Sequence, residues 1–168
     1  MLQNVVHRPV TPEDIPVISD LHNRVFGPGR FARTAYRVRE QMGPRAEISR
    51  FCRIAEKDGR MIAAIRMSEV SIGGAKGPLL LGPIVVDPAY TNQGYGRALI
   101  GDVMEEARAA GIPLIVLVGD EPYYGRFGFK PVKPGHITFP GPVNIARILA
   151  AELKPGALND FRGCVSGA

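Results

Sequence analysis

Apolar positions along the 168-residue chain change their period several times, and each change marks an element. Val5 to Pro9 reads as a short strand. Thr11-Pro12-Glu13-Asp14 has the make-up of a helix start, with Thr11 as N-cap, Pro12 at the first helical position and acids in the first turn. The helix it opens carries Ile18, Leu21 and Val25 on one face and ends at Gly27-Pro28-Gly29. A second helix is expected next, with Phe31, Ala35, Val38 and Met42 on one stripe and Arg30, Arg33 and Arg37 on another. Phe51 to Glu56 and Met61 to Ile72 read as strands joined through Asp58-Gly59, a hairpin dipeptide. Gly73-Gly74 and Gly77-Pro78 then turn the chain into Leu79 to Val86, apolar at almost every position and so expected as an inner strand buried on both faces.

Beyond that strand, Leu99, Val103, Ala107 and Ala110 recur at helical spacing until Gly111 and Pro113 stop them, and Leu114 to Val118 is a second inner strand. A right-handed crossover through the helix should set the strands near 80–86 and 114–118 parallel. After Phe129 the pattern suggests a short strand at Ile137 to Phe139 and a helix carrying Ile145, Ile148, Leu149 and Leu153, then a Gly-rich end. The order is that of an α/β fold, a single mixed β-sheet flanked by helices. With no repeat, low-complexity tract or dividing linker, residues 1–168 read as one domain.

An apolar content of 45 % is enough for a proper core. No run approaches the length of a membrane-spanning helix and no signal pattern opens the chain, so a soluble, cytoplasmic protein is expected. Cys52 and Cys164 lie far apart in no paired motif, and His7, His22 and His136 lack metal-ligand spacing, so neither a disulfide framework nor a metal is expected. The net charge of +5 is uneven, because residues 24–66 hold eleven Lys or Arg against four acids. Such a stretch would suit nucleic acid or a phosphorylated small molecule, but no aromatic residues are interleaved with it at a recognisable spacing.

The chemistry concentrates where the inner strand runs through Asp87-Pro88-Ala89-Tyr90-Thr91-Asn92-Gln93-Gly94-Tyr95-Gly96-Arg97 into the helix. Free backbone N–H groups at a helix N-terminus bind an anion without a charged side chain, and Gly94 and Gly96 let a pyrophosphate come close. A Walker loop would need Lys and Ser or Thr after the second glycine, where Arg97 and Ala98 stand. A dinucleotide fingerprint would need a third glycine, where Leu99 stands.

The window Thr91-Asn92-Gln93-Gly94-Tyr95-Gly96 resembles the signature of the GNAT superfamily of acyl-coenzyme A dependent N-acyltransferases, with Thr91 in the place of the family's Arg or Gln. Tyr124, Gly128 and Phe129 fall in the register of the family's Tyr before a Gly-Phe pair. The phrases Gly29-Arg30-Phe31-Ala32-Arg33-Thr34-Ala35 and Phe139-Pro140-Gly141-Pro142 are similar to the YhbS-like subgroup. The resemblance implies the GNAT fold with a β-α-β acyl-CoA cradle, and acetyl-CoA as co-substrate with no metal. It implies transfer of the acetyl group directly to a primary amine of a small molecule or peptide, and it leaves a homodimer open.

It further implies that Asn92, Gln93, Gly94, Tyr95, Gly96 and Arg97 hold the pyrophosphate, that the pantetheine arm lies along Ile84, Val85 and Val86, and that Tyr124 is the general acid. A phenol near pKa 10 is protonated at neutral pH and can donate to a departing thiolate. The family's helper Asn, seven residues before this tyrosine, is Leu117 here, and Leu79 to Val86 carries no acid to serve as base. Glu69, Asp120, Glu121 or a water are the candidates. An α-amine near pKa 8 needs less help from a base than a lysine amine near 10.4. The departures at Thr91 and Leu117 leave a second reading, a non-catalytic acyl-CoA-binding module, and the basic stretch a third, a nucleic-acid-binding protein.

Overall fold

The computed structural model describes residues 5–26 and 49–167. The helix expected around Arg30, Arg33 and Arg37 lies outside them. The sheet follows the order β1-β2-β3-β4-β5-β8-β6, with β7 and β9 off this path. β1 (Val5–Pro9), β2 (Arg53–Lys57), β3 (Arg60–Ile72) and β4 (Ala75–Val86) pair antiparallel in sequence order. The β2–β3 turn uses Asp58 and Gly59 at φ 53° and 78°, as the hairpin dipeptide requires. One edge of the long strand β3 pairs β4, while the other pairs β2 and then β9 (Gly163–Gly167) at Val70 to Ile72.

β4 begins at Ala75, so Gly77-Pro78 lies inside the strand rather than in a turn before it. Both prolines of β4 sit at register shifts against β3, Pro78 near Glu69 to Ser71 and Pro83 near Ile65 to Met67. A proline has no N–H to give to a ladder, so an inner strand tolerates it at a bulge.

The crossover helix α2 (Tyr95–Ala109) returns the chain to β5 (Leu114–Val118), which pairs parallel with β4 as expected. That pairing covers only Leu79↔Ile115 and Leu80↔Val116, whereas β4 runs on to Val86 and β5 to Val118. The two strands part in the middle of the sheet. On its other side β5 is paired to its end by β8 (Ile148–Glu152), which also carries β6 (Lys130–Pro131). β7 (Ile137–Thr138) pairs β9 in parallel.

β8 corrects the helix expected from Ile145, Ile148, Leu149 and Leu153. Ile145–Arg147 forms one 3-10 turn and Ile148 starts a strand. Ile148, Leu149, Ala150 and Ala151 are all buried, because Leu149 and Ala151 face one core and Ile148 and Ala150 the other, so the strand loses the alternation that distinguishes it from a helix.

α2 covers one face through Leu99, Ile100, Val103 and Ala107, packed on Ile65, Met67, Leu79 and Leu81. The opposite face is shared. Ile18 and Leu21 of α1 (Ile15–Phe26) pack with Ile54, Ala64 and Val85, while Phe139, Phe161 and Val165 pack with Leu80 and Val116. Asp14 ties the start of α1 to the edge of the sheet. It takes two 2.8 Å hydrogen bonds from Arg8 and further bonds from the N–H and hydroxyl of Thr11. The Arg8 bonds foremost, then those from Thr11, lower its carboxyl to about 2.

Candidate functional site

Asp87, at the end of β4, is 2 % exposed and fixes the loop that follows. It accepts from the N–H of Ala89 at 2.9 Å and pairs with Arg24 at 3.4 Å and Arg60 at 3.3 Å. The Ala89 bond first, then Arg24 and Arg60, holds its carboxyl below the usual range. After the 3-10 turn Pro88–Tyr90, Asn92 and Gly94 adopt positive φ of 61° and 90°, and Gly94 caps α2. The bond from Ala98 N–H to Gly94 O is the first of the helical ladder, so the N–H groups of Tyr95, Gly96 and Arg97 have no intrahelical acceptor. Gln93 turns back, its amide donating to Ala89 O at 3.4 Å.

A cavity of about 440 Å³ opens at this helix end, lined by Asn92, Gly94, Gly96, Arg97, Tyr123 and Arg126 among others. Arg126 lies 5.2 Å from the centre of the Tyr123 ring. The site therefore has two guanidinium groups as well as a helix dipole, a stronger anion site than the backbone alone. A second cavity of about 340 Å³ shares Val86, Gly96 and Tyr123 with the first. A third of about 270 Å³ shares Ile84, Val118, Tyr124 and Arg147 with the second. It reaches Leu80, Phe139 and Val143, which belong to the core of the opposite face. The three adjoin one another through these shared residues, in a row along the gap between β4 and β5.

Backbone alternation puts the right groups along that gap. Asp87 N–H bonds Ile62 O across to β3 and Val85 is in register with Ala64, so the amides of Ile84 and Val86 point away from β3, toward the gap. The side chains of Ile84 and Val86 line the channel, and Val85 packs on the other face with Ile18 and Leu21. The structure thus brings eight of the nine expected donor residues to the channel or its loop. The side chain of Val85 is not among them. Gly96 lies close to the channel wall: a Cβ there would lie 3.3 Å from Val86 Cγ2, which would have to give by a few tenths of an ångström, and 3.6 Å from Tyr123 Oη, leaving little room for a larger side chain.

The short helix α3 (Glu121–Tyr124) places the two tyrosines differently. Tyr123 stands between the first two cavities, where burial raises its hydroxyl pKa against the pull of Arg126 and Arg97. Tyr124 stands between the second and third, edge-on to Tyr123 at 4.9 Å and to Phe129 at 6.1 Å. Gly119 lies against its ring, and a Cβ there would collide with that ring and stand 3.1 Å from Leu117 Cδ1.

Of the three acids considered as bases, Asp120 lines the middle cavity and accepts from Arg147 Nε at 3.2 Å. Glu121 is exposed and does not line that cavity. Glu69 pairs with Leu79, five residues and about 15 Å along β4 from Ile84. Sequence reasoning missed Gly119, Arg126 and Arg147. Arg126 sits three residues after Tyr123, a spacing that could have indicated it, whereas Arg147 lies in the stretch read as helix. Among the described residues no group of three His, Cys, Asp or Glu side chains could hold a metal. No helix there is long and apolar enough to cross a membrane.

Comparison with known proteins places this geometry. A family model for the acetyltransferase (GNAT) domain matches residues 7–132. The N-acetyltransferase YhbS of Escherichia coli K12 is 25 % identical over 155 residues, 92 % of this chain and 90 % of that protein. The crystal structure of E. coli YhbS in complex with CoA superposes with a TM-score of 0.80 at 25 % identity, covering 98 % of this chain and 90 % of that one. A GNAT family acetyltransferase of Brucella melitensis, in complex with acetyl-CoA, gives 0.72 at 27 % identity over 98 % of this chain and 96 % of that one.

Proposed function

Since the chain belongs to the GNAT acetyltransferase family, we propose that it moves an acetyl group from acetyl-CoA directly to the nitrogen of a primary amine, with no acyl-enzyme intermediate. The observation that carries this reading is the row of three adjoining cavities, with an anion site at one end, a gap in the sheet in the middle and a pocket on the far side. Donor and acceptor can meet in the gap from opposite faces. Cys52 is buried beside Met67 and Cys164 lies in β9, and neither lines the channel, so no thiol stands ready to take the acetyl group.

Each part of the channel has a task. The N–H groups of Tyr95, Gly96 and Arg97, with Arg97 and Arg126, hold the pyrophosphate and the ribose phosphate. The amides of Ile84 and Val86 pair with the extended arm and polarise the thioester carbonyl, as fixed dipoles that need no reorganisation. The neutral amine nitrogen forms the C–N bond and the C–S bond breaks. Tyr124 gives its proton to the departing thiolate and regains one from solvent. The surplus proton on nitrogen leaves to Asp120, directly or through water.

Calorimetry with CoA and a thiol-release assay with acetyl-CoA against a panel of amines test this. We expect micromolar donor binding and turnover with at least one amine. Binding without turnover on any acceptor would leave only an acyl-CoA-binding module, and absence of binding would remove the donor assignment.

A further inference from the structure

The far cavity has a one-sided chemistry. Its apolar walls come from Leu80, Leu117, Phe139, Pro142 and Val143, and its polar wall from Asn144, Arg147 and Tyr124. Asn144 has already used its oxygen, which accepts from Ala146 N–H at 3.0 Å and leaves the amide nitrogen as donor. Arg147 is a donor only, and it gives Nε to Asp120 at 3.2 Å while its two Nη groups extend beyond that bond. No acid lines this cavity among the described residues. Hydrocarbon beside these side-chain donors can take an apolar body and a carboxylate, and among the described residues no side-chain carboxylate lines the cavity to hold a second cationic group.

Size and the neighbouring ion pair narrow the class. A volume of about 270 Å³ has room for the body of a small molecule such as one amino acid. At its mouth, beside Tyr124, the exposed pair of Asp120 and Arg147 sets opposite charges 3.2 Å apart. An α-amino acid carries its ammonium and carboxylate on one carbon at a similar separation, so it can lie across the pair with each charge facing its opposite. Asp120 would then stand beside the nitrogen that must lose protons.

We propose that the acceptor is a small zwitterionic amine, an α-amino acid with an apolar side chain, recognised through its carboxylate by Arg147; this rests on the acetyl-transfer reading above. The probes are L-phenylalanine and L-leucine, their C-terminal amides, phenethylamine, spermidine and a lysine-containing peptide, each with acetyl-CoA in a thiol-release assay. Compared at a pH high enough for acid and amide amines both to be largely neutral, the free acids should exceed their amides in kcat/KM by about tenfold or more, with spermidine and the peptide poorest. Arg147→Gln should collapse that acid-to-amide ratio, and Arg147→Lys should keep part of it. A merely structural role for Arg147 would lower both rates and leave the ratio unchanged.

Equal rates for acid and amide, or a preference for spermidine or peptide, would overturn the proposal while leaving acetyl transfer intact. A clear preference for hexanoyl-CoA over acetyl-CoA would also overturn it, because the cavity would then serve the donor's acyl chain. If CoA binds and no amine reacts, calorimetry of L-phenylalanine and its amide on the CoA complex decides. Tighter binding of the acid supports the proposal, and no difference removes it.

Discussion

Replacing Gly96 in two steps, by Ala and then by Val, should separate a change that the fold absorbs from one that the donor channel cannot. A Cβ at this position lies 3.3 Å from Val86 Cγ2, 3.6 Å from Tyr123 Oη and 3.8 Å from Ile84 Cδ1. For Ala, the half-buried Val86 side chain has to give by a few tenths of an ångström, and about 1 kcal/mol of helix propensity offsets the crowding. Stability should stay within about 1 kcal/mol and CoA affinity within about threefold. Val adds two methyl groups among the same three side chains. Overpacking of roughly 1–3 kcal/mol against a total of about 5–15 leaves a folded protein, with Tm lower by about 2–10 °C. Those side chains also wall the middle cavity, so the added methyls occupy the path of the coenzyme arm. Affinity should fall about 100-fold or more, equivalent to about 2.7 kcal/mol. Circular-dichroism melting establishes the folded state and calorimetry the Kd. A folded Gly96→Val protein that binds CoA like the wild type would refute the placement of the arm.

Tyr124→Phe should lower kcat about 100-fold with little change in CoA Kd, and an equal loss in Tyr123→Phe would move the proton donor. Gly119→Ala pushes on the Tyr124 ring and should reduce kcat by a similar factor with donor affinity retained; full activity would mean that the ring position does not matter. Asp14→Asn should cost about 2 kcal/mol in urea denaturation at neutral pH, because a carboxyl lowered to about 2 stabilises the fold only while ionised. The contribution is complete above the unfolded value near 3.9 and disappears as pH falls toward about 2, so the gap between wild type and variant should close over that interval. A gap independent of pH would show that Arg8 is not the cause.

The helix-end loop proposed to hold the donor was legible in the sequence as a structural element because its instructions are local. Gly94, Gly96 and the periodic Leu99, Val103 and Ala107 act within one turn and one helix, and the structure keeps them in that order. The residues proposed for the acceptor were illegible because their placement depends on partners distant in sequence. Arg147 reaches Asp120, 27 residues away, only because β8 pairs with β5 along its whole length. The apolar run from Ile148 to Ala151 does not state by itself whether it is strand or helix, since the β5 edge that decides lies more than 30 residues earlier. Gly77-Pro78 was misjudged for a related reason. A turn dipeptide was absorbed into a strand at a bulge, where β4 sets two residues, Gly77 and Pro78, opposite Val70 of β3.

The parting of β4 and β5 leaves main-chain groups without a neighbouring strand in the interior of a sheet, where most proteins leave none. An arm with its own amide groups, lying along Ile84 and Val86, would complete the ladder. Donor binding would then supply the neighbour that this part of the sheet lacks. At 100 times its Kd the ligand adds about 2.7 kcal/mol of stability, a sizeable share of what a small domain possesses. Amide exchange at Ile84 and Val86 should slow markedly with CoA present, while β2, fully paired already, should change little. The supply of coenzyme in the surroundings would therefore govern the lifetime of the folded chain as well as its rate of turnover.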